Sequence, residues 1–161
     1  MRLLVIRHAT AVPRGTPGIR DEDRPLTPEG ELKFREAAKG LAALVDRPDA
    51  LLTSPWLRAK QTAAIAAAAW GRIEPKETAV LAGGSFEEQA EVLDRYPQDA
   101  TVAVVGHEPY VSELLGRLLG SRHDDRLTFK KGGAALVELP GPLARGGTLA
   151  WFLPPKVLRR L

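Results

Sequence analysis

Cysteine is absent from this chain of 161 residues, and histidine occurs only three times, at His8, His107 and His123. Without thiols there is no disulfide framework, no thiolate-bound zinc, no iron–sulfur cluster and no cysteine nucleophile. Three histidines with no close pairing leave little for a multi-histidine metal centre, so no metal and no cofactor is expected. Long apolar runs are missing as well. The first, residues 3–6, is closed by Arg7 and His8 and is far too short for the core of a secretion signal. The Ala-rich stretch 63–70 also falls well below the roughly 18 apolar residues of a membrane span. A cytoplasmic protein without membrane contact is expected. Nor is one sign of charge in large excess, since 23 Lys plus Arg face 20 Asp plus Glu, a net +3. No basic stripe interleaved with aromatic residues appears, which argues against a nucleic-acid partner.

What is present is an alternation of short apolar runs with helical patterns. The runs fall at 3–6, 50–52, 102–105, 135–139 and 149–153, and their spacing predicts an α/β layer fold in one domain over residues 1–161. Thr27 followed by Pro28 announces a first helix, with Phe34, Ala37, Ala38, Leu41 and Leu44 on one face. Ser54 and Pro55 predict the start of a second, running to Trp70 with Gly71 as its stop. Ser85 and Glu88 have the spacing of a capping box for a third. A fourth follows Pro109, with Val111, Leu114, Leu115 and Leu118 at helical spacing. The loop 9–26, rich in Pro, Gly and charge, is long enough and polar enough to carry function. The tail 154–161 reads as a solvated end.

Three of the apolar runs end in polar residues, at the sheet edge where open α/β folds bind ligands. They are Arg7-His8-Ala9, the stretch from Ser54 to Arg58, and Gly106-His107-Glu108-Pro109. Arginine forks match phosphate oxygens, and helix N-termini add backbone donors, so the set suits a phosphoryl group. With no cysteine, and no serine in a nucleophile-elbow context, imidazole is the natural nucleophile. Neighbouring arginines disfavour its protonated form and keep a lone pair free. The second histidine can then donate to the phosphoryl oxygens. His123, in the polar run 121–125, reads as solvated, and Lys130 and Lys131 read as ordinary surface charges. Trp56 and Trp151 read as core or rim aromatics, Trp56 being placed beside Arg58 where it can line a pocket mouth.

Taken in order, Arg7-His8, Ser54-Pro55-x-x-Arg58-Ala59-x-Gln61-Thr62 and Gly106-His107-x-Pro109 resemble the histidine phosphatase superfamily, with its phosphoglycerate-mutase-like fold. The small size and the segment Arg24-Pro25-Leu26-Thr27-x-x-Gly30 look most like its SixA-type phosphohistidine phosphatases. The resemblance implies a three-layer sandwich with a mostly parallel central sheet flanked by helices. It implies that His8 is the phosphorylated nucleophile, that Arg7 and Arg58 bind the phosphoryl group, that His107 completes the pocket, and that Arg24 reaches the same anion from the loop. The implied substrate is phosphohistidine in a protein; the alternatives are a small phosphate ester turned over by a phosphatase or mutase, and non-catalytic binding of a phosphoprotein. Two departures stand out. Ala9 occupies the place of the usual Gly, and the stretch 80–85 holds no carboxylate, the first being Glu87. A phosphoramidate needs an enzymic acid less than an alkyl phosphate ester does, because its imidazole can leave already protonated. Asp21, Asp23 and Glu108 are the candidate donors.

Overall fold

The computed structural model describes residues 1–122 and 126–161, so His123 lies outside the described residues. Six strands form one sheet: β1 (Arg2–Arg7), β2 (Ala50–Thr53), β3 (Lys76–Glu77), β4 (Thr101–Gly106), β5 (Ala134–Glu138) and β6 (Thr148–Leu153), in the order β3-β2-β4-β1-β5-β6. Strands β3, β2, β4 and β1 run parallel, and β5 is antiparallel to both β1 and β6. Helices α1 (Pro28–Leu44), α2 (Leu57–Ala69) and the short α5 (Pro155–Leu158) cover one face, and α3 (Phe86–Leu93) and α4 (Tyr110–Leu118) cover the other. The α/β sandwich with a mostly parallel sheet is thus the observed architecture.

The period of two in a pleated strand explains the near-continuous apolar runs, because both faces of this sheet are buried. Leu4, Ile6, Ala103 and Val105 face the core under α1 and α2, whereas Leu3, Val5, Val102 and Val104 face the core under α3 and α4. Local capping starts the helices. The Thr27 side chain accepts from Gly30 N at 2.9 Å at the start of α1, and the Ser85–Glu88 capping box forms at α3 with both reciprocal bonds present.

One expectation is corrected and another is sharpened. α2 begins at Leu57 with Trp56 as its cap, not at Ser54 and Pro55. Pro55 and the Ser54 hydroxyl, which accepts from Trp56 N at 3.2 Å, form the turn that leads into the helix and leave Ser54 at the strand end. The tail keeps its basic residues Lys156, Arg159 and Arg160 exposed, as expected, but it also folds into α5 and buries Leu158 completely against the α1 side of the core. Gly40 makes this possible: a Cβ there would overlap the Leu158 carbonyl, so only glycine lets α5 approach the α1 backbone so closely. No helix among the described residues is long and apolar enough to cross a membrane.

Candidate active site

The ends of three adjacent parallel strands meet in register. His8 N donates to Gly106 O at 3.0 Å and Ser54 N donates to Val105 O at 3.0 Å, so the ladder continues one step past each strand and brings positions 8, 54 and 107 side by side. The turn before β5 closes the next side: Arg7 N donates to Gly133 O at 3.0 Å, and Gly132 N lies 3.1 Å from Arg7 O and 3.0 Å from His8 O. Gly132 takes a φ of +78° and packs on Phe34, a left-handed conformation that suits glycine.

The His8 imidazole is oriented from both nitrogens. Nδ1 donates to Ala9 O at 2.7 Å, which places the ring proton there and leaves a lone pair on Nε2. That lone pair accepts from Arg58 Nε at 3.3 Å. Burial, followed by the charges of His107, Arg58 and Arg7, pushes His8 down to about 3, against an opposing bond to Ala9 O. The ring is neutral at physiological pH, the form able to attack phosphorus. Ala9, in the glycine's place, is buried, and its N–H donates to Thr62 Oγ1 at 3.0 Å, so the extra methyl is accommodated.

His107 lies beside it, with ring centroids 5.1 Å apart and planes tilted by 51°. Its Nε2 is 2.7 Å from Ser54 Oγ. Ser54 Oγ accepts from Trp56 N; where it gives its own proton to His107 Nε2, the imidazole N–H lies on Nδ1, the nitrogen that has no partner. Burial and then the Arg58 charge push His107 down to about 3 as well. Trp56 packs on the His107 ring at 5.0 Å and carries the Arg58 guanidinium 4.8 Å from its ring centroid, so it forms one wall of the site.

Arg58 comes from the first turn of α2 and is almost fully buried. It donates to Asp21 O at 2.6 Å, with Asp21 Oδ2 3.7 Å from Nη2. Burial and the neighbouring Arg24 charge lower it to about 10, which still leaves it a cation at neutral pH. Arg7 donates to Phe129 O at 2.6 Å; burial lowers its pKa against the charge of Glu108. Arg24 is buried, but its Nε donates to Asp21 Oδ1 at 2.8 Å and Nη1 donates to Val12 O at 2.7 Å. Its guanidinium therefore ties the loop to Asp21 and lines the cavity of about 480 Å³ above His8.

Of the candidate acids, Asp21 sits among three arginines. Burial works against its charge, but the Arg24 hydrogen bond and the Arg58, Arg24 and Arg14 charges prevail and hold the carboxyl below its usual range, so it has no proton to give near neutral pH. Asp23 pairs with Arg20 at 2.7 Å on the exposed side of the loop. Glu108 accepts from Ser112 Oγ at 2.7 Å and from Phe129 N at 3.2 Å, which ties the segment before β5 to the start of α4. Residues 79–82 form a short turn beside Gly106; the acids after it are committed elsewhere, Glu87 to Arg117 and Glu88 to the N-cap of α3.

Among the described residues, the buried side-chain polar atoms without a partner are Arg7 Nε and His107 Nδ1, both belonging to this cluster. Buried donors of this kind ordinarily find an acceptor. The first belongs to the Arg7 guanidinium and the second lies within reach of the Arg58 and Arg7 charges, a setting whose charge matches an anion's oxygens. The family model for the histidine phosphatase superfamily (branch 1) matches residues 3–99. The chain belongs to the histidine phosphatase superfamily. An uncharacterized protein of Picosynechococcus sp. is 36% identical over 137 residues, covering 83% of this chain and 82% of its own. The structure of the protein histidine phosphatase SixA complexed with tungstate aligns with a TM-score of 0.84 at 25% identity, over 98% of this chain and 99% of that one. A SixA structure from Agrobacterium tumefaciens aligns with a TM-score of 0.79 at 25% identity, over 96% and 97% of the two chains. The Entamoeba histolytica phosphoserine phosphatase, at 17% identity and a TM-score of 0.71 over 94% and 95% of the two chains, shares the fold.

Two residues of the motif that the sequence reading gave no role, Gln61 and Thr62, stand in supporting positions. Thr62 donates to Arg58 O at 2.7 Å and receives Ala9 N, and Gln61 Oε1 accepts from Leu26 N at 2.7 Å. The signal was their spacing, for positions three and four residues after Arg58 share its helix face and look onto the same loop.

Proposed function

We propose that this superfamily phosphatase hydrolyses phosphohistidine carried by another protein, through a phosphohistidine formed on its own His8. In the first step His8 Nε2 bonds to phosphorus as the P–N bond to the substrate imidazole breaks, and that imidazole leaves with its proton. In the second, water attacks the phosphorus, the P–N bond to His8 breaks, and inorganic phosphate departs. Arg58 and Arg7 hold the phosphoryl oxygens, and the His107 Nδ1–H donates to an oxygen as negative charge builds on it. Arg24 acts through Asp21, keeping the loop and Arg58 in place, and also adds to the positive field.

The observation that carries this reading is the engagement of every nearby carboxylate. Asp21 is held ionised, Glu108 accepts from Ser112 and Phe129, and Glu87 and Glu88 are paired at α3. A site without a free acid suits a leaving group that needs none, and protonated imidazole is such a group, unlike a sugar alkoxide. The test is a hydrolysis panel of a phosphohistidine protein, phosphoramidate and common phosphate esters, run with the wild type and with His8→Ala. The expected result is turnover of the P–N substrates well above the esters, an acid-labile and base-stable phosphoenzyme, and loss of both in His8→Ala. Faster turnover of the esters would overturn the substrate assignment, and full activity of His8→Ala would overturn the mechanism.

A further inference from the structure

A second depression adjoins the cavity above His8. It measures about 220 Å³, lies between α1, α5 and the turn before β5, and is lined by Thr10, Lys33, Phe34, Lys131, Gly132 and Arg159 among others. Thr10 and Lys131 line both spaces, so the two adjoin. The floor is held rigidly, because Gly30 brings α1 against the Thr10 carbonyl and Gly132 packs on Phe34, each at a separation that a Cβ would narrow below ordinary contact. Its charged side chains are basic. Lys131 and Arg159 are exposed and make no ion pair among the described residues, while Lys33 pairs with Glu29 in a contact more than half exposed on both sides, which water screens. Across the site, the recess beside Trp56 is lined by Glu22 and Asp23, both paired with Arg20, and by Lys60, paired with Glu77. The charges at the mouth that make no ion pair among the described residues are therefore the basic ones toward α5, Lys131 and Arg159.

A free phosphoramidate bound over His8 does not extend into the neighbouring cleft, whereas a polypeptide continuing from a phosphorylated side chain can. We propose that the cleft receives an acidic stretch of the phosphorylated protein substrate, with Lys33, Lys131 and Arg159 facing its carboxylates. The substrate's acids then lie toward α5, where the basic side chains stand. This inference rests on the reading of the substrate as a phosphoprotein, and it adds the character of the residues flanking the phosphorylated one.

The test uses two labelled peptides of equal length around a central histidine, one flanked by Glu and one by Gln, with the wild type and the double variant Lys33→Ala/Arg159→Ala. Binding of the unphosphorylated peptides is read by fluorescence anisotropy, and hydrolysis of the phosphorylated ones alongside phosphoramidate. The wild type should bind the Glu peptide more tightly than the Gln peptide at low salt, and the double variant should weaken the Glu peptide by about threefold to tenfold. The difference should largely vanish at about 0.5 M salt. For the phosphorylated Glu peptide the change should fall on KM, and phosphoramidate turnover should be unchanged. Equal wild-type affinity for the two peptides overturns the proposal, as does an equal loss with phosphoramidate, which would place these charges on the phosphoryl group or a small anion. Charge-selective binding without hydrolysis would sustain the cleft and refute the catalytic reading, and hydrolysis without charge selectivity would do the reverse.

Discussion

The partner of His107 Nε2 is one buried hydroxyl, that of Ser54. If Ser54 delivers its proton to Nε2, then Ser54→Ala frees the ring to adopt the other tautomer and removes the donor aimed at the phosphoryl group. One hydrogen bond of about 1–1.5 kcal/mol corresponds to roughly a tenfold loss. Steady-state kinetics should show that loss in kcat with KM little changed, and nitrogen chemical shifts should show the tautomer of His107 redistributing. The two depressed histidines also give acid sensitivity a definite window. Each is neutral in the folded state down to about 3 and takes up a proton near its ordinary 6.5 when unfolded. Between those values the unfolded chain binds more protons, so stability falls as pH is lowered through the window. Urea midpoints measured from about pH 6.5 down to 5, above the range where carboxylates titrate, should decrease in the wild type and decrease less in His107→Asn. An unchanged slope would remove His107 from the account.

Helices and strands obey their local signals only where no distant partner competes. α1 and α3 begin at Thr27 and Ser85, where the cap hydroxyls have no other use. Ser54 carries the same type of signal, but its hydroxyl also serves His107 and its backbone continues the ladder with Val105, so α2 starts later. The tail shows the converse case. Basic residues at its end look solvated one at a time, yet Leu158 finds a buried seat because Gly40, 118 positions earlier, leaves room for its carbonyl. Gly40→Ala separates the two influences. Helix propensity alone favours the alanine by about 1 kcal/mol, while the overlap with Leu158 forces the helices apart. The close contact should prevail, with a net destabilisation of about 1–3 kcal/mol in chemical denaturation. A more stable variant would mean that α5 docks less tightly than it does here.

For the protein overall, the proposed mechanism gives the arginines the electrostatic role that a metal fills in other phosphatases. Arg7 and Arg58 converge on the strand ends, and among the described residues no three His, Asp or Glu side chains group as metal ligands. A chelator should therefore leave phosphoramidate hydrolysis within experimental error of the untreated enzyme. Loss of activity restored by a divalent cation would contradict this. The net +3 is a poor guide to that arrangement, because Arg24 and Arg58 are buried and Arg7 and Asp21 half-buried at one place rather than spread over the surface.

Much of this was readable from the chain because it depends on neighbours in sequence. The absence of thiols, the period of the apolar runs, the caps at Thr27 and Ser85, and the positions of Arg7, His8, Arg58 and His107 after strands or at a helix start are all local or compositional properties. Other features were not, for they arise where residues far apart exclude water from one another. The strand order, the seat of Leu158, the grip of Ser54 on His107 and the ionised state of Asp21 join segments that only packing brings together. The depression of both histidines belongs there too, since its largest cause is burial, and a side chain's burial is a property of everything packed around it.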